Sequence, residues 1–292
     1  MSKYLSPKAD LTFKKVFGEH KALTISFLNA LLCFDDQSKI ESIEYQTSEM
    51  LPDTPTKKYS IVDVKCTDDR GRQFIVEMQM VWYSDFLKRV LHNTTKTYSR
   101  QLEYGKPYRN LMPVYTLCLL NENFTATLVD GKDPYIDPDD PDYFHSYKML
   151  EEGHPERVIE GLNIVLVELQ KFKPTNMAER RMMVLWLRFL TEIGENTVTV
   201  APELLEEEEI KEALNIVERS AYTDAQMAAY ERFWEEVSVN RNFDPNYLLD
   251  IGRAEGDREA CLRNAKNLKS LGVDVETISK ATGLSNGEIE KL

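Results

Sequence analysis

The sequence predicts a layered α/β fold in which a mixed sheet lies between helices. Residues 112–120 are apolar on both faces, as expected for a strand inside a layered core. Residues 58–66 and 73–82 alternate like two strands joined by a turn, and residues 10–34 and 84–104 carry the apolar spacing of amphipathic helices. At 292 residues with 42% hydrophobic content, the chain can bury one core and a second small unit.

The N-terminal segment, residues 10–34, predicts one or two helices, because its apolar stripe is interrupted near Gly18. Asp10 stands directly before the stripe, and Asp is a favoured N-cap residue, so capping is its simplest role. Lys14 lies one turn further along. A single lysine on a helix is usually solvated, although its long side chain can reach a phosphate.

The two central strands are predicted to form a hairpin with a defined register. Between them lies TDDRGRQ, and Gly71 can adopt the left-handed conformation that a three-residue loop requires. If Asp69, Arg70 and Gly71 form the loop, Asp68 faces Arg72 and opposed residue numbers sum to 140. By that register, Asp63 lies across from Glu77.

Polar side chains interrupt the otherwise apolar strand FIVEMQM, residues 74–80. Glu77 and Gln79 point to the same face, since side chains alternate along a strand. Opposed carboxylates about 5 Å apart repel unless a proton or a cation lies between them. A hard cation such as Mg²⁺ suits Asp63 and Glu77, because it prefers oxygen ligands. The alternative is an edge hairpin whose polar face is solvated.

The remaining elements complete the predicted domain organisation. Helix 84–104 ends by Gly105, a Pro- and Asp-rich loop follows residue 129, and an acidic helical region covers 203–237. Further strands are predicted at 39–48 and 162–172, and a further helix at 178–194. We place one domain at 1–240 and a small helical tail at 241–292.

The order of elements in the tail suggests a helix-turn-helix, but its last helix contains only one basic residue, Lys291. A recognition helix needs several groups that reach phosphates and base edges. We therefore interpret the tail as a packing or oligomerisation unit, which leaves a homodimer open.

Composition limits the classes of partner and cofactor. The four cysteines and four histidines show no zinc-ligand spacing, so neither a structural zinc nor a small-molecule cofactor is expected. No apolar run approaches the length of a membrane span, and a cytoplasmic location without membrane contact is expected. The net charge of −13 disfavours nucleic acid, yet residues 1–120 carry a net +3 while residues 121–292 carry −16.

Several motifs in order resemble a known family. Asp63, a hairpin and then Glu77-Met78-Gln79 resemble the Asp…(Asp/Glu)-x-Lys core of the PD-(D/E)xK nuclease superfamily, with Gln79 in the lysine position. DLTFKKVFG at 10–18 resembles the opening of the Rpn family of recombination-promoting nucleases, also labelled transposases, in which Glu-x-Gln is usual. Residues 87–120 resemble that family's Arg-bearing helix, its Gln-Leu-x-x-Gly-x-x-Tyr element and the next strand, and residues 264–292 resemble its tail.

The resemblance implies a restriction-endonuclease-like mixed sheet flanked by helices, with a helical C-terminal extension. It implies a metal-dependent DNA endonuclease linked to recombination, mobile elements or phage defence. The expected cofactor is Mg²⁺, with Mn²⁺ or Ca²⁺ as alternatives, and the expected partner is DNA. The residue roles that it implies, together with those argued above, are metal ligation by Asp63, Glu77 and Asp10, catalysis by Asp63, Glu77, Gln79 and Lys65, and DNA contacts from Lys14, Arg89, Tyr98 and Gln101.

Gln79 departs from the superfamily lysine and cannot place a positive charge beside the nucleophile; it can only orient water by hydrogen bonding. Lys65, two residues after Asp63 on the same face, is a candidate for the missing charge.

Two alternative functions from other classes of protein stay open. One is an inactive nuclease fold that acts as a DNA- or protein-binding regulator; the other is a transposase, for which the sequence offers no group that recognises specific ends.

Overall fold

The computed structural model describes residues 3–32, 34–47, 49–50, 60–61, 63–82, 85–102, 104–122, 141–173 and 181–241, and in the tail residues 262, 265–266, 268–269, 274–282 and 289. In these residues the helices are α1 (Asp10–Glu19), α2 (Lys21–Leu32), α3 (Phe86–Ser99), α4 (Arg181–Glu192), α5 (Glu208–Ile216), α6 (Asp224–Arg241) and α7 (Val275–Thr282). The strands are β1 (Ile43–Tyr45), β2 (Glu49–Met50), β3 (Ser60–Ile61), β4 (Val64–Asp68), β5 (Gln73–Gln79), β6 (Val114–Leu120), β7 (Phe144–Glu151) and β8 (His154–Glu168).

Six strands form a mixed sheet in the order β1-β4-β5-β6-β8-β7. Strands β5, β6 and β8 are parallel neighbours, whereas β1, β4 and β7 pair in antiparallel fashion. Strands β2 and β3 form a separate antiparallel pair. The predicted mixed α/β class is confirmed.

The sheet separates two helical layers. On one face, the main core joins the sheet to α1, α2, α4 and α5, with Phe17, Phe27 and Trp186 at its centre. On the other face, Phe86 and Val90 of α3 pack on Cys118, Leu120 and Leu166. Strand β6 contributes to both cores, which explains why its sequence is apolar on both faces.

The predicted hairpin register is confirmed. Val64 pairs with Val76 and Lys65 with Ile75, so that opposed numbers sum to 140. Gly71 closes the turn with a φ of 81°, and its N–H donates to the Asp68 carbonyl at 3.0 Å. The Arg72 side chain adds a buried ion pair, because its Nε donates to Asp68 Oδ2 at 2.7 Å.

Three local expectations differ from the structure. The N-cap of α1 is Ala9 rather than Asp10, which is the first helical residue. Strand β8 extends from His154 to Glu168, well before the predicted start at 162, because its first half pairs with β7. Strand β7 was not predicted: its central residues are exposed on both faces, so its sequence lacks an apolar face.

The chain divides into two compact units, Met1–Val239 and Asn240–Leu292. The second contains its own small apolar cluster around Ala265, Ile278 and Ile289. Most of the Pro- and Asp-rich loop lies outside the described residues, as do the predicted starts of the helix at 178 and of the last tail helix. Among the described residues, no helix is both long enough and apolar enough to cross a membrane.

Candidate active site

Glu77 is held inside the protein by two residues of α3. Its side chain is only 5% exposed, and it lies on the face of β5 that α3 covers. Asn93 Nδ2 donates to Glu77 Oε1 at 3.0 Å, and Arg89 Nη2 donates to Glu77 Oε2 at 3.2 Å. Burial raises the pKa of Glu77, and the Arg89 charge and the Asn93 hydrogen bond oppose this rise. The carboxylate is thus desolvated but fixed in position.

Asp63 lies beside Glu77, one position before β4 begins. The Met78 N–H donates to Asp63 Oδ2 at 2.6 Å, which ties the carboxylate to β5 next to Glu77. Burial raises the pKa of Asp63 to about 6, with further contributions from Asp10 and Glu77, while the Met78 N–H and Lys14 oppose the rise. The structure therefore brings buried Glu77 and partly buried Asp63 together, as the hairpin register predicts.

Asp10 and Lys14 form the outer part of this region. Lys14 Nζ lies 2.6 Å from Asp10 Oδ1 along α1, and both side chains are partly exposed. Both charges act on Asp63, so the first turns of α1 lie near the carboxylate pair. In the described residues, however, no three His, Cys, Asp or Glu side chains form a group able to hold a metal. The structure thus brings Asp10 near the pair without completing a third ligand, and direct ligation by Asp10 stays a prediction.

Gln79 has partners at both ends of its amide. Its Nε2 donates to the Val81 carbonyl at 2.5 Å, and its Oε1 accepts from Arg89 Nη2 at 2.6 Å. Arg89 thereby joins Glu77 and Gln79 through one nitrogen. A guanidinium next to Gln79 places positive charge at the end of β5, although Gln79 itself is neutral.

Lys65 lies in a basic cluster with Lys96 and Arg100. It is partly exposed and is paired with Ile75, which lies two residues before Glu77 on β5. Burial lowers the pKa of Lys65, and the charges of Arg100 and Lys96 lower it further. Lys96 and Arg100 are four residues apart and hence share one face of α3. The structure places Lys65 near Lys96 and Arg100, and its catalytic role stays a prediction.

Tyr98 and Gln101 lie at the opposite end of α3 from Arg89. Tyr98 packs on Ile75 and Val114, and its ring lies against Gly161, where an added Cβ would be 3.2 Å away. The Gln101 amide pairs with the Met112 backbone through two hydrogen bonds of 2.9 Å. Neither residue is brought together with Asp63 and Glu77, and contact of either with DNA stays a prediction.

The donor set suits a hard divalent cation. Mg²⁺ commonly takes one or two carboxylates, with water and phosphate oxygens completing its coordination. Asp63 and Glu77 supply the carboxylates. Cys118 lies beside Glu77 on β6, but burial raises the pKa of its thiol, which disfavours the thiolate that a softer metal would need. Asn93 Oδ1 is a further buried oxygen near Glu77 that has no hydrogen-bond partner among the described residues. The side chains present therefore fit a cation of this class.

Sequence reasoning missed Asn93. It lies four residues after Arg89 on the same face of α3, so both residues point towards the sheet and can hold one carboxylate. That spacing was readable in the sequence. The missing information was which strand the helix covers.

Comparison with known proteins identifies the family. No curated protein and no solved structure matches the chain significantly. The family model described as PD-(D/E)XK nuclease family transposase matches residues 7–243, most of the 292-residue chain. The match contains the whole six-stranded sheet and the hairpin that carries Asp63, Glu77 and Gln79. The chain therefore belongs to the PD-(D/E)XK nuclease family transposases.

Proposed function

We propose that the protein is a Mg²⁺-dependent endonuclease that hydrolyses phosphodiester bonds of DNA, in the context of recombination, mobile elements or phage defence. The observation that carries the proposal is the carboxylate pair of partly buried Asp63 and buried Glu77, which meet at the hairpin of a nuclease-family sheet. Two acids that lie side by side and are largely shielded from water are costly without a cation or a proton. A binding surface would not need them.

Each residue of the site has a definite task in this proposal. Asp63 and Glu77 would hold the ion, which when bound polarises the scissile phosphate and lowers the pKa of an attacking water. Asn93 and Arg89 keep Glu77 in place, and the Met78 N–H keeps Asp63 in place. Mn²⁺ accepts the same oxygen ligands, so it is expected to support the reaction as well.

The basic cluster supports DNA as the substrate. Lys65, Lys96 and Arg100 lie on the α3 side of the sheet; burial lowers the pKa of Lys65, and the charges of Arg100 and Lys96 lower it further. A phosphodiester backbone that passes this cluster would relieve the repulsion and could reach Glu77. The residues that would touch the substrate thus lie in the part of the chain with net positive charge.

The proposal is tested by nicking of supercoiled plasmid with Mg²⁺, with EDTA, and by the Glu77→Gln variant. Wild-type protein should nick only with the metal. Glu77→Gln should lose on the order of 100-fold in rate, since a charge-stabilising group of the site is removed. The matched control is Glu44→Gln, which removes a carboxylate that is 80% exposed on neighbouring strand β1 and should nick normally.

DNA binding is measured on the same proteins in EDTA, where no hydrolysis can occur. Lys96→Gln and Arg100→Gln should each weaken binding and reduce the salt dependence of log Kd by about 1. Wild-type protein that binds DNA but never cleaves it would contradict the nuclease proposal and favour a binding regulator. Joined rather than nicked products would instead favour a transposase.

A further inference from the structure

The superfamily places a lysine at the position of Gln79, and this chain lacks that charge. Lys65 does not contact Gln79 in the structure; the charges that act on it are Lys96 and Arg100. Arg89 does contact Gln79, with Nη2 at 2.6 Å from Oε1, and the same nitrogen reaches Glu77. A cation from α3 therefore lies at the end of β5 where the family lysine would project.

The hydrogen bonds of Gln79 make this arrangement specific. Because Nε2 donates to the Val81 carbonyl, Oε1 is the atom turned towards Arg89. An amide oxygen accepts from a guanidinium, whereas a lysine at this position could only donate and would repel it. Gln79 and Arg89 are thus a matched pair: the amide holds the guanidinium beside the site, and the guanidinium supplies the charge that the amide lacks.

Exposure gives the guanidinium access to a substrate. The Arg89 side chain is 39% exposed, against 5% for Glu77, so Arg89 extends from the buried acid towards solvent. Its guanidinium carbon lies 5.2 Å from the centre of the Phe86 ring, a cation–π contact that limits the directions the group can take. A planar guanidinium carries five donors and suits a phosphate better than an ammonium does.

We infer that Arg89 replaces the missing superfamily lysine: held by Gln79, it supplies the positive charge that stabilises the scissile phosphate during hydrolysis. The inference rests on the proposed nuclease function. The competing explanation is that Arg89 only holds buried Glu77 in position for the metal. The two differ in outcome, because loss of a residue that only positions a metal ligand should weaken metal binding and slow cleavage in parallel.

The test compares wild type with Arg89→Gln, Arg89→Lys, and the double variant Gln79→Lys, Arg89→Gln. Three quantities are measured: the single-turnover cleavage rate, Mn²⁺ affinity by calorimetry without DNA, and the melting temperature. Lys88→Gln is the matched control, since it removes the neighbouring charge on α3 from a side chain that is 83% exposed.

Arg89→Gln should slow cleavage on the order of 100-fold. Its Mn²⁺ affinity should be unchanged or tighter, because a cation near the carboxylates has been removed. Arg89→Lys should retain part of the rate. The double variant should recover at least about tenfold over Arg89→Gln, since it moves the charge back to the strand. A single Gln79→Lys substitution should not speed cleavage, because two cations would then repel.

Two results would overturn the inference. The first is cleavage by folded Arg89→Gln within a few-fold of wild type. The second is a fall in Mn²⁺ affinity that parallels the loss of rate, with no recovery in the double variant, which would leave Arg89 as a residue that only positions Glu77. A wild-type protein that does not cleave at all would instead remove the nuclease proposal itself, so the two failures are distinguishable.

Discussion

Asp63 is an acid whose environment changes strongly between the unfolded and the folded chain. Its carboxyl group leaves water, accepts the Met78 N–H, and lies near two other acids, with Lys14 as the basic group that acts on it. The ionised carboxylate has a higher free energy in that setting than in water. A bound cation would lower that free energy, which is the physical reason to expect one there.

A pH dependence of stability follows from this environment. Because the folded-state pKa of Asp63 is raised from 3.8 to about 6, the folded protein binds this proton more tightly than the unfolded chain does. The free energy of unfolding of the metal-free protein should therefore fall as the pH rises through that window. Urea unfolding in EDTA across the window measures the slope.

The variant Asp63→Asn should reduce that slope, since one titrating group is gone, while Glu77, whose pKa burial also raises, remains. Asp36→Asn is the control, because Asp36 is 93% exposed and its removal should leave the slope intact. Equal slopes in wild type and Asp63→Asn would show that Asp63 does not titrate in the window. A divalent metal should bind more tightly at the upper end of this pH window, where Asp63 is ionised.

The hairpin between β4 and β5 determines the positions of both acids. Its register depends on one turn, in which Gly71 has a φ of 81° and Arg72 pairs with Asp68. A slip of one residue would turn Glu77 and Gln79 from the α3 face to the main core. The turn is therefore a part of the site, although it lies at the other end of the strands.

Three glycine substitutions should separate backbone strain from steric contact as reasons for the glycine in this turn, with Gly153 and Gly105 as references for Gly71. Gly153→Ala should be almost neutral, because an added Cβ meets nothing within 4 Å and its φ is unexceptional. Gly105→Ala, with a φ of 80° and open space, should cost about 1 kcal/mol of stability from backbone strain. Gly71→Ala should cost more, since its Cβ would also lie 3.2 Å from Met112 Cγ.

The measurement is chemical unfolding of the three alanine variants. If the Gly71→Ala protein is as stable as Gly105→Ala, the Met112 side chain moves away from the added Cβ without a loss of stability. Cleavage by the three variants should follow the same order if the turn maintains the register of the acids.

Over the whole molecule, charge and function are unevenly distributed. Residues 1–120 contain both proposed acids and the basic cluster and carry a net +3, while the rest of the chain carries −16. The acidic part would repel DNA, so we expect productive binding only at the proposed face around α3, and high salt should weaken that binding.

The division into two compact units predicts that the first is autonomous. Its cores are formed by residues before 240, and the tail has a separate apolar cluster. A protein that ends at residue 243, where the family match ends, should fold cooperatively and melt near the temperature of the full chain. Calorimetry of the two proteins tests this, and loss of a cooperative transition in the shorter one would contradict it.

The sequence by itself determined the hairpin, its register, and the meeting of Asp63 with Glu77. These depend on alternation along a strand and on the preferences of a glycine turn, which act over a few residues. It also determined that β6 is buried on both faces. It did not reveal β7, because a strand exposed on both faces has no periodic apolar signal.

Only the tertiary structure decided what meets the two acids from outside the hairpin. Whether α3 lies over β5, and whether Arg89 or Lys65 reaches Gln79, depends on the packing of Phe86 and Val90 against β6 and β8. Such packing joins residues far apart in the chain through shape and burial, which no short sequence pattern encodes. The position of the cation beside Gln79 is therefore a property of the fold.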